Sequence, residues 1–113
     1  MLKILEHKED FDTFLNSNQD KKVLIKFSAT WCPPCRILQK NVKELLFELE
    51  KKPELNKKLL ILEIDVDKFS SLAQSSRFNV YSVPTIFLFE QGKIIKKFSG
   101  NLSVPQLKEF SGI

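Results

Sequence analysis

The segment Trp31-Cys32-Pro33-Pro34-Cys35 constrains this chain more than any other. It lies between a nearly continuous apolar run, Val23 to Ala29, and a stretch in which Leu38, Val42, Leu45, Leu46 and Leu49 recur at helical spacing. The run has the composition of a strand covered on both faces, and the stretch that of an amphipathic helix. Two cysteines therefore fall where a central strand hands over to a helix. They are the only two in the chain, three positions apart. A structural staple normally closes a longer loop. Zinc would need further ligands, and His7 is the only histidine, so no metal site is expected within one chain. Redox chemistry is favoured. Half a zinc site completed across a dimer and an inert pair of small core residues are the alternatives.

The placement carries a mechanism. The first N–H groups of a helix lack intrahelical partners and its aligned peptides make that end partly positive, so Cys32, at or beside the N-cap, is favoured as a thiolate. Pro33 and Pro34 suit a first turn, where their missing N–H groups cost nothing, and they leave the N–H of Cys35 as a donor. Cys32 is expected to be accessible and to attack a target disulfide. Cys35, one turn in and more buried, is expected to resolve the mixed disulfide. Trp31 reads either as a packing residue or as an exposed aromatic platform for partner proteins.

The chain reads in the order β-α-β-α-β-α-β-β-α, a mixed sheet with helices on both sides. The strand candidates are Leu2–Leu5, Val23–Ala29, Leu59–Ile64, Thr85–Phe89 and Ile94–Phe98, the last two joined by a Gln91-Gly92 turn. Helices are expected over Glu9–Leu15, after Cys35 with Pro53 as a stop signal, over Phe69–Phe78 and over Ser103–Phe110, where Ser103 is the N-cap. Glu50 to Lys58 reads as an elongated connection. The length of 113 residues suits one domain, 1–113. No run approaches a membrane span, and charges occupy the place of a signal peptide's apolar segment, so a cytoplasmic location and no membrane partner are expected. The net charge of +4 assists encounter with acidic protein surfaces. Its lysines are interspersed with acids, which argues against a specific nucleic-acid site.

Lys26 interrupts one apolar strand and Glu63 the next. Either the Lys26 stem packs internally while its charge reaches solvent, or the two pair beneath Cys35. In the second reading Glu63 accepts the Cys35 proton, through water, and Lys26 keeps that carboxylate ionised.

Phe27 to Arg36, Ile64-Asp65-Val66-Asp67, Ser82-Val83-Pro84-Thr85, the Gln91-Gly92 turn and Gly100 together resemble the thioredoxin family over nearly the whole chain. The resemblance implies a thioredoxin fold: an α/β five-stranded mixed β-sheet flanked by four α-helices, with a cis peptide bond at Val83–Pro84 packed against the disulfide. It implies a docking surface of Trp31, Pro33, Val83, Pro84 and Gly100, on which the Val83 backbone pairs with an extended substrate chain. It further implies a monomer that holds no bound cofactor. Its electrons come from NADPH through a thioredoxin reductase, and its substrates are disulfide-containing proteins. Three departures stand out. Pro33 replaces the family's usual Gly, Lys40 replaces a Pro that often kinks the helix, and Lys26 and Glu63 stand where the family commonly has Asp and often Lys. The leading expectation is a protein-disulfide reductase. The alternatives are a specialised reductase for secreted or cytochrome-maturation substrates and a noncatalytic binding module.

Overall fold

The computed structural model describes residues 1–113. Its strands are β1 (Leu2–Ile4), β2 (Lys22–Ser28), β3 (Leu59–Asp65), β4 (Thr85–Glu90) and β5 (Lys93–Ser99). Its helices are α1 (Asp10–Ser17), α2 (Pro33–Glu50), α3 (Pro53–Asn56), α4 (Ser70–Ala73) and α5 (Val104–Ser111). One sheet runs β1-β3-β2-β4-β5, with β1, β3 and β2 parallel, β4 antiparallel to β2 and β5 antiparallel to β4.

Alternation along the strands divides the core in two. Val23, Ile25, Phe27, Leu62, Ile64, Phe87 and Phe89 pack with Phe11 and Phe14 of α1 and with Phe69, Ala73 and Phe78. Five of these rings, Phe11, Phe27, Phe78, Phe87 and Phe89, meet at tilted or edge-to-face angles, geometry that phenylalanine adopts without needing a polar partner. On the opposite face Leu24, Ile61, Ile86 and Leu88 pack against Leu38, Val42, Leu45 and Leu49 of α2 and Leu107 of α5. Leu38 and Leu45 are wholly buried, each stabilising the fold by roughly 1.5–3 kcal/mol relative to exposure. This holds the start of α2 over the carboxyl ends of β2 and β3.

Three local readings change. Helix α2 already ends at Glu50. Pro53 follows that end as the expected stop signal and also opens the single turn α3 inside the segment read as a connection, a first-turn position proline favours. Helix α1 continues to Ser17, with the Asn18 side chain donating to the Phe14 carbonyl at 2.7 Å. The Phe69–Phe78 helix shrinks to Ser70–Ala73, since its serines offer the backbone competing partners; the Ser75 hydroxyl donates to Leu72 O at 2.7 Å. The hairpin turn is as expected, with Gln91 and Gly92 both at positive φ (53° and 76°). Ser103 caps α5 in a reciprocal box with Gln106. In β5 the register shifts by one opposite Leu88 and Phe89, leaving Ile95 as an unpaired bulge residue.

Candidate active site

Cys32 is the N-cap of α2, with extended backbone, and Pro33 and Pro34 occupy the first two helical positions. The Cys35 N–H, the donor the prolines leave, points at Cys32 Sγ at 3.2 Å. Such a donor favours negative charge on that sulfur once the bond is reduced. The two cysteines form a disulfide, with Cα atoms 5.2 Å apart. Both are buried, Cys32 at 2% and Cys35 at 4% exposure, so the expected contrast in accessibility does not appear in the disulfide form. The two differ in what they face. Cys32 Sγ lies 3.7 Å from the Val83 carbonyl oxygen, and Cys35 lines a cavity on the other side.

The Val83–Pro84 bond is cis, as the resemblance implies. Tyr81, Ser82 and Val83 make no backbone hydrogen bond, so the Val83 N–H and C=O are free to pair with an incoming chain. Pro84 is buried and Pro33 exposed. Gly100 donates its N–H to the Pro84 carbonyl at 2.9 Å, which brings it beside the same loop. Trp31 is 64% exposed and its indole N–H donates to Asp67 at 2.8 Å, so it is not a core residue. A cleft of about 280 Å³ runs from Trp31 past Val66, Ala73 and Val80 to Tyr81, which is 82% exposed.

The cavity behind Cys35 has about 400 Å³ and is lined by Ser28, Thr30, Arg36, Gln39, Glu63 and Asp65 among others. Lys26 and Glu63 are directly paired across β2 and β3, and Lys26 Nζ meets Glu63 Oε1 at 2.8 Å. Lys26 is 2% exposed, so its charge does not reach solvent and the pairing alternative holds. The Ser28 hydroxyl donates to the same Oε1 at 3.3 Å. Glu63 is 17% exposed and lines the cavity with Cys35, whereas Lys26 does not. No group of three or more His, Cys, Asp or Glu side chains is placed to hold a metal ion.

The structure joins Cys32, Pro33 and Cys35 at the start of α2, brings the Val83 carbonyl to Cys32 Sγ and Gly100 to the Pro84 carbonyl, places Glu63 on the Cys35 cavity with Lys26 paired to it, and leaves Trp31 exposed next to Cys32. The sequence reading missed the cleft wall, Asp67, Ala73, Val80 and Tyr81, and the hydroxyl of Ser28. A signal was present for Asp67. It lies two residues past β3, beyond the carboxyl end of a strand parallel to β2, where α/β sheets place their sites.

The family model for thioredoxin matches residues 3–111. Thioredoxin Y2, chloroplastic, of Arabidopsis thaliana is 35% identical over 104 residues; these are 90% of this chain but 58% of that protein, so the chain spans somewhat over half of its length. The thioredoxin of Mycoplasmoides gallisepticum is 32% identical, with 96% of this chain and 97% of that one covered. The X-ray structure of Fasciola hepatica thioredoxin superposes with a TM-score of 0.78 at 26% identity, covering 95% and 93% of the two chains. With a five-stranded mixed sheet, an N-capping cysteine and a cis-proline loop facing its sulfur, the chain belongs to the thioredoxin family.

Proposed function

We propose that the protein is a thiol–disulfide oxidoreductase that reduces disulfides in other proteins. The observation that carries this is the disulfide between an N-capping cysteine facing the free Val83 backbone and a second cysteine open to the Glu63 cavity. A target segment pairs with Val83 and rests against Trp31, Pro33 and Gly100, while Pro84, buried, stays out of its reach. Cys32 thiolate attacks one target sulfur, forming a mixed disulfide and releasing the other as thiolate. The Cys35 proton passes through water to the Glu63 carboxylate, whose Oε1 meets Lys26 Nζ at 2.8 Å. Cys35 then attacks Cys32 Sγ, the bond to the target breaks, and the second target sulfur leaves as a thiolate that takes a proton from solvent. Two electrons have moved to the target, and the Cys32–Cys35 disulfide is restored.

Electrons return from NADPH through a thioredoxin reductase, and the protein works as a cytoplasmic monomer; these readings rest on the family. No helix is long and apolar enough to cross a membrane. Insulin reduction with NADPH and a thioredoxin reductase tests the proposal. Turnover by the native chain and none by Cys32→Ser are expected. Full biological activity in Cys32→Ser would instead identify a noncatalytic docking module.

A further inference from the structure

The loop that offers Val83 is a span held at its two ends. Its far end is fixed by Thr85, whose buried hydroxyl donates to the Ser82 carbonyl at 2.8 Å and contacts the Ser99 hydroxyl at 3.1 Å. Its near end is fixed by Lys97, whose ammonium donates to the carbonyls of Phe78 at 3.2 Å and Asn79 at 3.4 Å while lying 5.5 Å from the Phe87 ring centre. Asn79 has a left-handed φ of 50°, a conformation that turns the chain out of the Ser75–Phe78 segment and into Val80. Lys97 and Ser99 are two apart on β5, paired with Phe87 and Thr85, and so stand on one face of the strand. Between the braces, Tyr81 to Val83 has no backbone–backbone hydrogen bond, and apart from the Thr85 hydroxyl on Ser82 O nothing polar within the loop's own strands holds its carbonyls.

We propose that Lys97 is a positioning residue for protein substrates. It acts through the Phe78 and Asn79 carbonyls to hold the loop in the conformation that presents the Val83 backbone. This rests on the reading above that substrates pair with Val83. Lys97 touches neither sulfur, so it governs docking and leaves the exchange chemistry alone. A mobile loop must be ordered each time a substrate binds, and a charged donor on two consecutive carbonyls removes part of that cost beforehand.

The test compares Lys97→Met, which keeps the stem over Phe87 and loses the donor, with Lys97→Arg, which restores a donor. Lys96→Met, on the same strand but bonded to the Phe110 carbonyl instead, controls for charge alone. Lys97→Gln stands in if Lys97→Met folds poorly. For insulin reduction, Lys97→Met should raise KM roughly three- to tenfold with kcat unchanged, the scale of losing a charge-assisted hydrogen bond. Lys97→Arg should recover the native KM, Lys96→Met should match native, and the rate with a small aromatic disulfide that needs no docking strand should not change. An unchanged KM in Lys97→Met, an equal rise in Lys96→Met, or an equal loss on the small disulfide would overturn the assignment. A native chain that reduces no insulin would overturn the reductase reading and this one with it.

Discussion

Lys26 and Glu63 meet at 2.8 Å from directly opposed positions on adjacent parallel strands, the lysine almost fully enclosed and the glutamate reaching the cavity edge. Their unequal burial decides which of them can be lost. Removing the glutamate strands an ammonium in the core, whereas removing the lysine leaves a carboxylate that water can still reach. Glu63→Leu should destabilise the fold by about 3 kcal/mol or more and Lys26→Met by about 1 kcal/mol, measured by urea unfolding. Equal losses, or the reverse order, would contradict this account of the pair.

The same pair separates structure from proton transfer. Glu63→Gln keeps an acceptor for Lys26 but cannot take a proton. Stopped-flow measurement of mixed-disulfide resolution should show this variant slower at neutral pH, by about 10²-fold or more if the carboxylate is the general base. Rate and pH profile identical to the native chain would remove Glu63 from the proton path.

The two sulfurs face different sides, which sets their roles apart. Cys35→Ser should accumulate a mixed disulfide with the target through Cys32, visible on a non-reducing gel, because nothing remains to resolve it. Cys32→Ser should form no such adduct. An adduct through Cys35 would place the attacking sulfur on the cavity side.

Much of this arrangement was legible in the chain, and the limits are physical. Lys26 and Glu63 each broke a strand of otherwise uniform apolarity, and the uniformity made both the strands and the exceptions visible. The α2 pattern was equally clear because its apolar residues recur from Leu38 to Leu49, about three turns. The Phe69–Phe78 helix was misjudged in length because a serine side chain can satisfy the backbone in a turn as readily as in a helix, a choice settled by packing around Phe78 and the left-handed Asn79. The Trp31–Tyr81 cleft was not legible at all, since its walls come from segments 50 residues apart.

A surface ion pair supplies a pH signature. Lys108 Nζ on α5 lies 2.8 Å from Glu48 Oε2 on α2, and this lysine holds the Glu48 carboxyl below its usual value. A carboxyl depressed in the folded state contributes stability above its unfolded pKa and loses it as pH falls through the folded one. Lys108→Met should therefore lower the melting temperature slightly at pH 7 and show a shrinking difference from the native chain as the pH drops through the acid range below 4.5. A difference that persists undiminished in acid would point to packing instead of charge.

The hairpin turn is a test of backbone alone. A Cβ at Gly92 would meet only the Gln19 side chain at 3.5 Å, so space is not the obstacle; the φ of 76° is. Gly92→Ala should cost about 1 kcal/mol in thermal or urea unfolding, with activity retained because the turn lies at the end of β4 away from Thr85 and Pro84.

The bulge at Ile95 bears on how the molecule keeps its own company. A regular outer strand is a template onto which any stray extended peptide can zip, and β5, seven residues against the three of β1 at the other edge, is the longer of the two here. Breaking its rhythm midway, with Lys93, Lys96 and Lys97 around the break, spoils the template. The break thus keeps that flank from zipping copies of the chain into fibres, while the unpaired Val83 backbone beside Cys32 stays open.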